Sequence, residues 1–87
     1  MSRPVKRSLT LNGHRTSVSL EDEFWRALRR IAEAEGRAIN DLAAEIDADR
    51  GAATGLATAI RLFVLSRLEA QAAAARPSAD RPGAQRE

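Results

Sequence analysis

Val5-Lys6-Arg7-Ser8-Leu9-Thr10-Leu11-Asn12-Gly13-His14-Arg15-Thr16-Ser17-Val18-Ser19-Leu20 is the stretch on which the fold turns. Period-two alternation runs on both sides of Asn12-Gly13. That dipeptide is the strongest short-range hairpin signal, because a type I′ turn needs positive φ at both central residues. A two-residue loop sets Leu11 opposite His14, Leu9 opposite Thr16 and Arg7 opposite Val18. One face then collects Leu9, Leu11, Thr16, Val18 and Leu20. The other collects Lys6, Ser8, Thr10, Arg15, Ser17 and Ser19. A lone two-stranded hairpin is marginal in water, so its apolar face needs a cover.

The residues that follow supply helices. Glu21-Asp22-Glu23 places three acids where a helix macrodipole favours negative charge, and Ser19, three residues before Asp22, is the expected N-cap. Phe24, Leu28, Ile31 and Ala32 form an apolar stripe, with Arg26, Arg29, Arg30 and Glu33 outside it. Of the neighbours Phe24 and Trp25, one is expected in the core and the other at the helix edge. Gly36 is placed to stop this helix, and Asn40 to cap the next, whose apolar face is Leu42, Ala43 and Ile46. A third helix starts near Leu56 with the stripe Leu56, Ala59, Ile60, Phe63, Val64 and Leu68. Arg61 either pairs with Asp47 or Asp49 or lies exposed opposite that stripe. The expected organisation is a flexible basic arm over 1–5 and one domain over 6–70. Within the domain the hairpin covers 6–20 and the helices cover about 21–35, 40–50 and 56–74, and the polar residues 76–87 form a disordered tail.

Composition narrows the function. The chain has 87 residues, enough for one domain, and its formal net charge is +2. Residues 1–20 carry Arg3, Lys6, Arg7 and Arg15 with no acid. Residues 21–50 carry nine acids against five bases, and residues 51–87 five bases against three acids. Positive charge is thus concentrated at the N-terminus, where a polyanion can be met. Without cysteine there is no disulfide framework or thiolate metal site, and the single His14 cannot build a metal site alone. No nucleophile-base pair, metal constellation or phosphate loop is visible, so an enzyme is not expected, nor is a cofactor. No apolar run is long enough to span a bilayer, and no apolar run follows the basic start as a signal peptide requires. The expected location is the cytoplasm, associated with the nucleoid. A small aliphatic core with three aromatics and no staple suggests an oligomer.

Three stretches carry a family resemblance. They are Thr16-Ser17-Val18-Ser19-Leu20, then Phe24-Trp25-Arg26-Ala27-Leu28-Arg29-Arg30-Ile31-Ala32, then Glu35-Gly36-Arg37-Ala38-Ile39-Asn40. Strand, amphipathic helix and a Gly-Arg-x-Ile-Asn turn, in that order, resemble the ribbon-helix-helix DNA-binding family. The Lys-Arg-Ser hairpin, the Leu-Glu-x-x-Phe-Trp helix start and the Leu-x-x-Ala-Ile-Arg third helix are similar to a bacterial subgroup. The resemblance covers roughly residues 6–68. It implies a mainly α fold with a short β-ribbon, an intertwined homodimer, and one strand from each chain paired antiparallel in the major groove of double-stranded DNA.

That resemblance implies base contacts from Arg15, Ser17 and Ser19. Arg15 can donate two hydrogen bonds to guanine O6 and N7. It implies phosphate contacts from Arg3, Lys6, Arg7 and Arg37, and from the second helix N-terminus at Ile39 and Asn40. Asp41 at that end is unwelcome beside a phosphate. The implied dimer core is Leu9, Leu11, Thr16, Val18, Leu20, Phe24, Leu28, Ile31, Leu42, Ile46, Ile60 and Phe63. The implied function is a sequence-specific transcriptional regulator, a repressor. Two alternatives stay open: an antitoxin whose C-terminal part wraps a toxin, and a dimerisation or interaction module that does not bind DNA.

Overall fold

The computed structural model describes residues 2–75. β1 (Pro4–Leu11) and β2 (His14–Glu21) form an antiparallel hairpin, followed by helices α1 (Asp22–Ala34), α2 (Ile39–Asp49) and α3 (Leu56–Ala75). The register runs from Leu11↔His14 to Pro4↔Glu21, with Leu9↔Thr16 and Arg7↔Val18 between. Asn12 (φ 52°) and Gly13 (φ 85°) both lie in the left-handed region, as a type I′ turn demands. Pro4 and Val5, expected in a flexible arm, are the first residues of β1. The expected disordered tail, 76–87, lies outside the described residues.

The hairpin lies over the three helices. β1 packs on α2, while β2 packs on α1 and α3. Leu9, Leu11, Val18 and Leu20 point down into a core completed by Leu28, Ile31, Leu42, Ile46, Ile60 and Val64, all buried. Nine of the twelve residues expected in a dimer core are therefore buried by elements of their own chain. The other three, Thr16, Phe24 and Phe63, are half-buried.

Trp25, rather than Phe24, is the aromatic at the centre. It is 1% exposed, and its indole N–H donates to the Val5 carbonyl at 2.9 Å. The bond explains the choice: a buried indole needs an acceptor, and the start of β1 provides one. Leu28, Ile31 and Ala32 of the expected α1 stripe are buried, with Trp25 in place of Phe24, which sits at the helix edge beneath the Arg61 guanidinium.

Both expected N-caps are corrected. Ser19 stays in β2, and the residue at the α1 N-cap is Glu21; at α2 the N-cap is Ala38, and neither makes a side-chain cap. The stop after α1 follows expectation. Gly36 (φ 65°) donates to the Glu33 carbonyl at 3.1 Å, and Arg37 N–H donates to the Ala32 carbonyl at 2.9 Å. This is a Schellman closure, for which a residue without Cβ is best suited.

Arg61 takes neither expected partner. Its Nε donates to Glu21 Oε1 at 2.9 Å and one terminal nitrogen to Glu21 Oε2 at 3.3 Å, which ties α3 to the β2–α1 junction. No helix among the described residues is long and apolar enough to cross a membrane.

Candidate nucleic-acid interface

The strand pleat sorts the hairpin side chains into two faces. With the apolar side against the helices, the outward side carries three cross-strand pairs: Thr10↔Arg15, Ser8↔Ser17 and Lys6↔Ser19. All six are exposed. The expected base-contact residues Arg15, Ser17 and Ser19 thus stand in one row on β2, with Lys6 beside them on β1. The neighbouring acid at the end of this face, Glu21, is neutralised by Arg61. The arginine's hydrogen bonds hold that carboxyl below the ordinary carboxylate range.

The backbone of β2 is also accessible. In a two-residue hairpin the pair flanking the turn is hydrogen-bonded, so Thr10, Ser8 and Lys6 on β1 and Arg15, Ser17 and Ser19 on β2 direct their N–H and C=O groups outward. Two contacts agree with this. Thr10 N–H donates to Asn40 Oδ1 at 3.2 Å, and the Ser19 carbonyl accepts from Arg61 at 3.4 Å. Along the rest of the β2 edge, the outward groups of Arg15 and Ser17 have no partner among the described residues.

The phosphate-contact expectations fall in different places. Arg3 is exposed just ahead of β1, and Lys6 is on the outward face. Arg7 lies on the helix-facing side opposite Val18, with its guanidinium 5.9 Å from the centre of the Trp25 ring. Arg37 is engaged three times: with Glu45 at 2.6 Å, with Glu35 at 3.5 Å, and with the Asp41 carbonyl at 3.4 Å. Its positive form is favoured above all by the Glu45 hydrogen bond. Ile39 is half-buried against the core. The Asn40 side chain is spent on Thr10, but that bond brings the α2 N-terminus alongside β1. The Ile39 and Asn40 amides, at the first helical positions, have no intrahelical acceptor. Asp41 follows them, exposed.

Arg61 was not anticipated at this site. It touches the β2 edge, the last strand residue and the Phe24 ring at once, joining segments forty residues apart that no local pattern relates. A second link, Arg67 to Glu35, fastens α3 to the end of α1. It is the main cause that lowers the Glu35 pKa, with Arg37 contributing less.

A β-hairpin with one face in the core and one polar-basic face, followed by helix, Schellman turn and helix, is an arrangement that a family model can test. The model of the ribbon-helix-helix domain matches residues 4–68. The chain belongs to the ribbon-helix-helix family. Its members are non-enzymatic domains, typically of DNA-binding regulators or antitoxins, and they usually bind DNA as dimers. No curated protein and no solved structure matches the chain. Within this ribbon-helix-helix chain, the match takes in the hairpin, α1, α2 and α3 through Leu68.

Proposed function

We propose that the protein is a homodimeric, sequence-specific DNA-binding regulator that presents β2 to the major groove. The observation that carries this reading is the row Arg15, Ser17, Ser19. It is exposed on one face of a strand whose other face sends Val18 and Leu20 into the core, in a chain of this family. The groove, about 12 Å wide, admits a two-stranded β-ribbon. The edge of β2, open at Arg15 and Ser17, suits antiparallel pairing with β2 of a second copy, which makes the two β2 strands the central ribbon of a four-stranded sheet. Arg15 then reads guanine, while Ser17 and Ser19 serve as short donors and acceptors toward neighbouring base edges.

Phosphate contacts fall to Arg3 and Lys6, and to the free amides of Ile39 and Asn40 at the α2 N-terminus. Arg7 and Arg37 take part only by leaving Trp25 or the Glu35 and Glu45 carboxylates. Their contributions are accordingly smaller than that of Lys6.

A gel shift against the DNA upstream of the protein's own coding sequence, over a range of salt, tests the reading. Binding is expected to weaken steeply as salt rises, since neutralised phosphates release counterions. Failure to bind any duplex at low salt would sink it. Arg15→Ala is expected to erase sequence preference while leaving nonspecific binding in place.

A further inference from the structure

β1 carries an outward row of its own. Lys6, Ser8 and Thr10 stand directly across the hairpin from Ser19, Ser17 and Arg15, and all three are exposed. The Thr10 N–H is taken by Asn40 Oδ1, whereas the Ser8 and Thr10 hydroxyls have no hydrogen-bond partner among the described residues. No acid precedes Glu21 in the chain, so nothing on this row repels a polyanion.

Where the row meets DNA follows from the width of the sheet. Neighbouring strands lie about 4.8 Å apart, so with two β2 strands paired at the centre each β2 is about 2.4 Å from the midline and each β1 about 7 Å from it. The major groove is about 12 Å wide, which puts its walls about 6 Å from the same line. β2 therefore fits inside the groove, while β1 comes down over the walls, where the phosphates are. The far edge of β1 agrees with this placing. Its Thr10–Asn40 hydrogen bond, 3.2 Å long, sets the α2 N-terminus on the outer side of β1, over the same wall.

We propose that Ser8 and Thr10 contact DNA, their hydroxyls donating to backbone phosphates at the groove walls in line with Lys6. Such contacts fix the position of the ribbon without reading sequence. The placing rests on β2 as the groove strand, and it adds a division of labour across the hairpin. Each reading residue has a holding residue as its cross-strand neighbour: Thr10 beside Arg15, Ser8 beside Ser17, and Lys6 beside Ser19. A neutral hydroxyl displaces no counterion, so Ser8 and Thr10 add affinity without adding to the salt dependence.

Both side chains are exposed, so Ser8→Ala and Thr10→Val leave the core intact, and valine keeps the N–H that Asn40 accepts. Each contact occurs twice in a dimer, so a loss of about threefold at each place multiplies to about tenfold per substitution. By fluorescence anisotropy on a labelled random-sequence duplex at low salt, each variant is expected to bind that much more weakly than wild type. The salt slope is expected to stay unchanged, whereas Lys6→Ala lowers it. From a random duplex pool, the double variant Ser8→Ala/Thr10→Val is expected to select the same sequences as wild type, while Arg15→Ala loses the preference.

Variants with wild-type affinity would overturn the inference and leave the β2 reading intact, since β1 then stands clear of DNA. A double variant that selects a different sequence overturns it as well, because β1 is then a reader inside the groove. A wild type that binds no duplex at low salt refutes the β2 reading itself, and the role of Ser8 and Thr10 with it.

Discussion

Replacing Trp25 by phenylalanine tests the structure at the point where it departs most from simple helix periodicity. The change removes the indole N–H that donates to the Val5 carbonyl at 2.9 Å, and the outer part of a ring that is 1% exposed. A lost hydrogen bond of this kind costs about 1 kcal/mol net. The missing ring leaves a void of roughly 40 Å³, which at about 24 cal/mol per Å³ costs about 1 kcal/mol more. Together they amount to about 2 kcal/mol, a fall in Tm of about 10 °C for a domain of this size. Thermal unfolding followed by far-UV circular dichroism measures it, at one fixed protein concentration so that assembly does not enter. Phe24→Ala, at the half-buried edge of α1, provides the contrast and should cost less than Trp25→Ala. If Trp25→Phe moves Tm by less than about 2 °C, well under the shift expected for 1 kcal/mol, or if Phe24→Ala is the costlier of the alanine changes, the placing of Trp25 rather than Phe24 in the core is wrong.

Other expectations can be measured directly. Lys6→Ala should weaken binding to all DNA sequences alike and lower the salt slope by about 1, unlike the loss of preference expected from Arg15→Ala. Gly36→Ala meets no neighbouring atom within 4 Å. Its cost of about 1 kcal/mol should therefore come from the left-handed backbone alone, and Gly36→Asn should recover part of it in the same melts. Glu21 and Glu35 are held below their usual pKa of 4.5, chiefly by Arg61 and Arg67. A depressed folded-state pKa stabilises above the unfolded value and is lost as pH falls through the folded one. The Tm gap between wild type and Glu35→Gln should hold near neutrality and close on acidification below about pH 4.5; a gap that is constant to pH 3 refutes the pairing.

What the sequence disclosed was local. Asn12-Gly13 and the period-two alternation are chemistry of adjacent residues, and both the hairpin and its register follow from them. Gly36 acts through its own φ. The features that escaped depend on partners distant in the chain. Asn40 resembles a helix cap, yet its side chain serves Thr10, thirty residues earlier. Ser19 resembles a cap because it precedes three acids, but the strand continues through it to Glu21. Trp25 is chosen over Phe24 by a carbonyl twenty residues away, and Arg61 by a carboxylate forty residues away. The alternation had already placed Arg7 opposite Val18, and its position above Trp25 follows from that register. For Arg15, Ser17 and Ser19 the pattern was sufficient to bring them onto one exposed face.

The core that closes within one chain has a consequence for gene dosage. An intertwined pair must fold and associate in one bimolecular step, so dilution unfolds it. Here the hairpin covers its own helices, so a single chain already buries nine of the side chains that pairing was expected to cover. Under the proposed dimer, folded single chains accumulate first, and occupancy of an operator rises with the square of their concentration until pairing saturates. On that proposal the protein registers its own abundance, quiet when scarce and effective beyond a threshold set by the strength of its pairing.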